Sequence, residues 1–213
     1  FENTICHYSG EWKMVGPQEK LYDTLVMQSF EPRYIFFLHW SEKVPDEITN
    51  KYECINFHMT ELPYGRGGSP LQNLIVRGHN ITCVTAHRMT AELDSGPIYL
   101  QREMHLGGLA EEIYIRAFDI CADMIKEIVE KEPESYAQIG KPIIFKRRKP
   151  EQSEITSKES CCLQKLFDHL RMLDAEGYPK AYLLHEGIRY EFSRPALRNG
   201  HIVADVKIIK AEE

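Results

Sequence analysis

The chain alternates short apolar runs with amphipathic stretches over its first two thirds, then turns β-rich. Across residues 18–30, Leu21, Leu25, Val26 and Phe30 recur at helical spacing behind Pro17, which predicts a helix. Within residues 33–40 the run Tyr34-Ile35-Phe36-Phe37-Leu38 is wholly apolar and follows Pro32. A run that short suits a strand buried on both faces of a parallel sheet, and residues 53–58 read the same way. Residues 69–77 predict a short helix, with Ser69 as cap and Pro70 in the first turn. Residues 81–89 and 97–104 alternate well enough for strands. Residues 109–131 form an amphipathic pattern with Ile113, Ala117, Ile120, Met124 and Ile128 on one face. Past residue 146 the composition changes. Lys146-Arg147-Arg148-Lys149-Pro150-Glu151-Gln152-Ser153 reads as a polar linker, followed by a helix over 163–173 and strands over 181–185, 188–192 and 202–209. Glu186-Gly187 and Asn199-Gly200 are the turn signals between those strands.

Composition narrows the class. At 213 residues the chain suits one domain, or one with a small appendage. Its 43% hydrophobic and 27% charged residues are those of a folded soluble protein. A net charge of −6 weighs against a dominant nucleic-acid role, because phosphate binding shows as a basic excess. No apolar run is long enough for a transmembrane helix, so no membrane partner is expected. Phe1-Glu2-Asn3-Thr4 is neither a signal peptide nor a natural start, and residues ahead of Phe1 are expected to be missing. Cys54, Cys83 and Cys121 lie in apolar runs and read as small core residues, while Cys161 and Cys162 are adjacent. The absence of any CxxC argues against zinc, and the pattern fits a reducing, cytoplasmic protein.

Candidate chemistry sits at the end of the second strand. Asn56 and His58 are two residues apart and therefore share a face, at the carboxyl end of a strand, where open α/β sheets bind ligands. Asp94 lies in the turn-like run Glu92-Leu93-Asp94-Ser95-Gly96. An amide, an imidazole and a carboxylate are the parts needed for acyl transfer to an amine: a donor for an oxyanion, a base, and an anion that orients the base. Gly65-Arg66-Gly67-Gly68 lacks the Lys-Ser/Thr of a P-loop and the spacing of a dinucleotide site, and reads as a flexible turn. Trp40 reads as packing, and the Lys146-to-Lys149 run as a solvated linker rather than an RNA contact.

Asn56-x-His58, Leu62-Pro63, Arg66-Gly67-x-x-Pro70 and Leu93-Asp94-x-Gly96 together resemble the 10-formyltetrahydrofolate-dependent formyltransferase family, which includes methionyl-tRNA formyltransferases and amino-sugar N-formyltransferases. The resemblance runs over residues 33–104 and extends to Arg147-Arg148-x-Pro150 and to Leu173-Asp174 and Tyr178-Pro179. It implies an α/β fold: a Rossmann-like catalytic domain over residues 1–149, lacking its first strand and helix, and a small β-rich domain over 150–213. It implies Asn56, His58 and Asp94 as catalytic residues, Trp40, Ser41, Glu42, Ala91, Glu92 and Leu93 along the pterin slot, and Arg66, Gly67 and Gly68 toward the acceptor. The co-substrate would be 10-formyltetrahydrofolate, with no metal. Met59-Thr60 and Gly65 depart from the family's usual residues on the acceptor side.

The expected activity is formyl transfer to a primary amine on a small molecule, with a nucleotide-linked amino sugar as first choice and a homodimer as a candidate assembly. Methionyl-tRNA is the alternative acceptor, disfavoured by the net charge and the short tail and favoured by the Lys146-to-Lys149 run. Hydrolysis of the formylfolate would use the same three residues with water. A folate- or sugar-binding module with a vestigial site is the non-enzyme alternative.

Overall fold

The computed structural model describes residues 7–16, 21, 24–25 and 30–211. The helix expected over residues 18–30 lies largely outside them; of its apolar positions, Leu21 and Leu25 are buried. From residue 34 onward the elements are β1 (Tyr34–Leu38), α1 (Asp46–Lys51), β2 (Glu53–His58), β3 (Tyr64–Gly67), α2 (Pro70–Val76), β4 (Ile81–Arg88), β5 (Ile98–His105), α3 (Ala110–Lys131), β6 (Ile143–Phe145), α4 (Leu163–Arg171), β7 (Ala181–His185), β8 (Ile188–Arg198) and β9 (His201–Lys210).

The sheet that carries the candidate residues has the order β1-β2-β4-β5. β1 runs parallel to β2, whereas β2 runs antiparallel to β4. The sheet is therefore mixed, not purely parallel as the apolar runs suggested. β2, with a strand on either side, buries four of its six residues. β1 ends the strand order, and of its five residues only Phe37 is buried, so the expectation of a two-sided buried strand fails there.

The chain divides into two compact units. The first comprises Phe1–Arg66, Cys83–Glu103 and Ala117–Ile144; the second comprises Gly67–Thr82, Met104–Arg116 and Phe145–Glu213. In the first, Ile55, Val84, Ala86 and Ile98 of the sheet are buried, as are Ala117, Cys121, Met124 and Ile128 of α3. Those α3 positions recur every three or four residues, the stripe that lets a helix cover a sheet. A separate apolar cluster contains Phe37, Val44, Ile48, Tyr52 and Cys54, with Trp40 and Met89 packed against it. Cys54 and Cys121 are buried as expected, whereas Cys83 is only half-buried.

In the second unit β7, β8 and β9 form an antiparallel sheet. β8 continues six residues beyond the expected end at Phe192, to Arg198, and its register with β9 shifts between Ser193 and Ala196. Pro195 explains the shift: it has no N–H to give the ladder, so the strand bulges there. Ser69 does precede α2, but its hydroxyl does not cap the helix. It accepts the backbone N–H of Arg148 at 2.9 Å instead. Asn73 donates to the carbonyls of Gly68, Ser69 and Lys146 at 3.0–3.1 Å. The backbone of the expected linker is thus held, although Lys146, Arg147 and Lys149 remain exposed. Gly65-Arg66-Gly67-Gly68 is no flexible turn: β3 pairs with β6. A Cβ on Gly67 would lie 2.3 Å from the Phe145 carbonyl oxygen, which is why glycine stands there.

Candidate active site

Strand alternation builds one wall of the site. Asn56 and His58 project from the same face of β2, and the antiparallel register sets His87 opposite Asn56 and Thr85 opposite His58. All four polar side chains therefore share one face of the sheet. Asp94 enters from the turn after β4, with a left-handed φ of 52° that Asp tolerates better than most residues. His58, His87 and Asp94 are buried and Asn56 is half-buried.

The three residues singled out in the sequence do converge, and His87 joins them. Asp94 Oδ2 lies 3.7 Å from His58 Nδ1, and Asp94 Oδ1 lies 3.5 Å from His87 Nε2. Asn56 Nδ2 is 3.3 Å from His87 Nε2 and 3.5 Å from Asp94 Oδ1. The backbone assigns the protons. His58 Nε2 sits 2.8 Å from the Gly65 carbonyl oxygen, which only accepts, so Nε2 carries a proton. The remaining lone pair of neutral His58 is then on Nδ1, facing Asp94. His87 Nδ1 donates to the Arg88 carbonyl at 2.9 Å by the same logic, leaving Nε2 to accept from the Asn56 amide. Burial lowers the His58 pKa; the Asp94 carboxylate and the Gly65 carbonyl raise it by less. His58 accordingly rests neutral, with a basic nitrogen pointed at a carboxylate that will stabilise it once protonated.

The surrounding residues fix this arrangement. Thr60 Oγ1 donates to the Gly65 carbonyl at 3.4 Å, and Thr85 Oγ1 donates to the Thr60 carbonyl at 2.6 Å. Gln101 reaches Thr85 Oγ1 at 3.0 Å. Arg66 is half-buried and directs its Nε and Nη2 at Gln138 Oε1, at 3.0 and 2.7 Å. Gly67 and Gly68 lie against the backbone at Phe145 and Arg147, respectively.

Trp40 is half-buried against the apolar cluster, and its buried Nε1 has no hydrogen-bond partner among the described residues. An indole N–H removed from water and left unpaired is costly. Ser41, Glu42, Ala91, Glu92 and Leu93, expected along the pterin slot, are exposed. The Glu92 carbonyl accepts from Thr90 and Ser95 hydroxyls at 3.1 and 3.0 Å, which ties the turn before Asp94 together. Among the described residues no group of three or more His, Cys, Asp or Glu side chains could hold a metal ion. Among them, too, no helix is long and apolar enough to cross a membrane.

The sequence reading missed His87 and Gln138. His87 carried a usable signal: within β4 it alternates with the apolar Val84 and Ala86, two residues from Thr85, on the face that turned out to be polar. Gln138 carried none, since it lies in an irregular stretch far along the chain from both its partners.

Known proteins match this chain over most of its length. The formyl transferase family matches residues 17–112, and the family described as methionyl-tRNA formyltransferase, C-terminal domain, matches residues 150–209. The methionyl-tRNA formyltransferase from Clostridium thermocellum is 46% identical and superposes with a TM-score of 0.83, over 92% of this chain and 83% of that one. The methionyl-tRNA formyltransferase of Thermotoga neapolitana is 39% identical over 49% of this chain and 35% of its own length. The chain thus spans about a third of that curated relative. HypX from Aquifex aeolicus, in a structure containing tetrahydrofolic acid, shares the fold at 16% identity, with a TM-score of 0.63 over 77% of this chain and 29% of that one. A catalytic-domain match, a C-terminal-domain match and a structural relative 46% identical of which the chain covers 83% make it a member of the formyltransferase family, whose formyl donor is 10-formyltetrahydrofolate.

Proposed function

We propose that this chain transfers a formyl group from 10-formyltetrahydrofolate to the amine of methionine carried on tRNA. The observation that carries the chemistry is the convergence of Asn56, His58 and His87 on Asp94, at 3.5, 3.7 and 3.5 Å, with Asn56 3.3 Å from His87. The co-substrate supplies an electrophilic formyl carbon. Trp40 Nε1 and the backbone of residues 41–42 and 91–93 would hold it. The Asn56 amide is the donor for an acyl oxygen. Its bond to Asp94, at the outer limit of hydrogen bonding, is the one that yields, while His87 keeps the amide plane in place. His58 would take the amine's proton at Nδ1 as the new C–N bond forms, the imidazolium lying between the Gly65 carbonyl and the Asp94 carboxylate, and would return it to the folate nitrogen as the bond from that nitrogen to the formyl carbon breaks and tetrahydrofolate leaves. Residues 1–149 are the catalytic domain in this reading, and residues 150–213 the smaller domain. The described cysteines are free thiols, which suits a reducing, cytoplasmic compartment.

The acceptor rests on the 46% identity to a methionyl-tRNA formyltransferase and on the match of residues 150–209 to that enzyme's C-terminal domain. The nucleotide-linked amino sugar expected from the sequence has weaker support. That expectation assumed that Met59, Thr60 and Gly65 open room on the acceptor side. Met59 and Thr60 are buried, at 8% and 0% exposure, so they pack inward. Gly65 is buried too, with its carbonyl committed to His58 and Thr60.

The test supplies 10-formyltetrahydrofolate with methionyl-tRNA, with nucleotide-linked amino sugars or with buffer alone, and follows release of tetrahydrofolate. Formyl-methionyl-tRNA as the product supports the reading. Release only with a sugar transfers the proposal to that acceptor. Release in buffer alone makes the protein a hydrolase, and no release under any condition overturns the activity.

A further inference from the structure

We propose that Gln138 is a positioning residue that locks the Asp94 turn and the Arg66 guanidinium into one arrangement. The inference deepens the formyl-transfer reading and rests on it. The Gln138 amide makes four hydrogen bonds in two directions. Its Oε1 accepts from Arg66 Nε at 3.0 Å and Nη2 at 2.7 Å, and its Nε2 donates to the carbonyls of Asp94 at 2.9 Å and Gly96 at 2.8 Å. The amide has one orientation that satisfies all four. A guanidinium only donates and carbonyls only accept, so oxygen must face Arg66 and nitrogen must face the turn. A glutamate would keep Arg66 and set an anion against two carbonyl oxygens. A leucine would keep neither direction.

The clamp has a fixed base. Two residues earlier, Tyr136 exchanges backbone hydrogen bonds with Ile98 of β5, at 2.8 and 2.9 Å. Gln138 therefore projects from backbone fastened to the same sheet that carries Asn56, His58 and His87. On the turn side the fit is close: Asp94 adopts its left-handed φ, and a Cβ on Gly96 would lie 1.9 Å from the Arg88 carbonyl oxygen. Gln138 holds the Asp94 carbonyl while the Asp94 carboxylate faces His58 and His87. It also sets the direction of Arg66, the side chain expected to meet the acceptor. One amide thus ties the anion that supports the base to the cation that meets the substrate.

The test compares Q138L and Q138E with the unaltered protein, alone and in combination with D94N. If Gln138 acts through Asp94, Q138L and Q138E each lower kcat by about tenfold to a hundredfold, the order expected for a misplacement of about 1 Å. In the D94N background the same substitutions change kcat by less than about threefold, because an effect that passes through one residue is not additive with its loss. The second readout needs no activity. NMR titration of the His58 imidazole in folded protein should show its pKa lowered further in Q138L, as the raising influence of the Asp94 charge withdraws. Unchanged kcat and unchanged His58 titration in Q138L overturn the proposal. So does a Q138E variant with full activity, or a loss of activity that is undiminished in the D94N background. Should the unaltered protein transfer no formyl group, the titration still decides whether Gln138 positions Asp94.

Discussion

Asp94→Asn isolates the charge at the centre of the site. The side chain is buried and its backbone sits in the left-handed region, which Asn enters as readily as Asp, so the fold should survive. What changes is the field at His58. Asp94 Oδ2 is 3.7 Å from His58 Nδ1, the nitrogen that is protonated as the amine attacks. Two opposite unit charges about 4 Å apart at an effective dielectric constant of about 20 attract by about 4 kcal/mol. That attraction is missing before proton transfer, when His58 is neutral, and present after it, so its loss falls on the barrier and not on substrate binding. About 4 kcal/mol corresponds to about a thousandfold in rate. D94N should therefore lower kcat by about three orders of magnitude while KM for both substrates stays within about threefold. Stopped assays of formylated product at saturating 10-formyltetrahydrofolate read the first quantity, and substrate titrations read the second. A D94N enzyme within tenfold of the original kcat would refute the role of the carboxylate, and a loss expressed in KM would refute the placement of the effect in the transition state.

Stability should depend on pH through two buried imidazoles. Burial is the largest influence on His58 and on His169, and it lowers both pKa values below the ordinary 6.5. Their neutral forms favour the fold fully above about pH 6.5, and that contribution is lost as pH falls through the lower folded values; urea melts at descending pH should show it, and H58A with H169A should flatten the trend. Gly96→Ala should destabilise by about 2–3 kcal/mol, since its Cβ would meet backbone at Arg88 and not a side chain that could move; a urea titration with unchanged midpoint would contradict this. His87→Ala should lower kcat by about tenfold by leaving the Asn56 amide only its long bond to Asp94, and His87→Gln should recover part of the loss because a Gln oxygen can accept the lost bond.

The regular elements were legible where periodicity was strong. β2, α2, β4, α3 and the C-terminal strands begin and end within a few residues of their apolar patterns, except where Pro195 bulges β8 instead of ending it. β3 was hidden because two glycines in its four positions, with Gly68 directly after them, look like a turn, and its partner β6 is too short and too exposed to show alternation. α1 has one buried residue, Ile48, and so presents no apolar face to read. Within the site, Asn56 and His58 were legible because alternation puts them on one face. Asp94 had no such pattern: its residue type completed the set for acyl transfer, but only the family resemblance gave it a place beside Asn56 and His58. His87 escaped because a histidine in a strand says nothing of what lies across from it, and Gln138 because its partners Arg66 and Asp94 are remote in the chain.

Asn56 faces His87 because β2 and β4 pair residue for residue, with His58 against Thr85 by the same count. A slip of one residue in that ladder would turn one row of polar side chains toward the opposite layer and leave the other behind. Alignment of the reacting groups and correct strand pairing are thus a single event in folding. A molecule whose two strands closed out of phase would resemble its neighbours in size and secondary structure and yet hold no site. Turnover per mole of protein, measured against a count of intact sites, would then report the fraction of chains that paired in step.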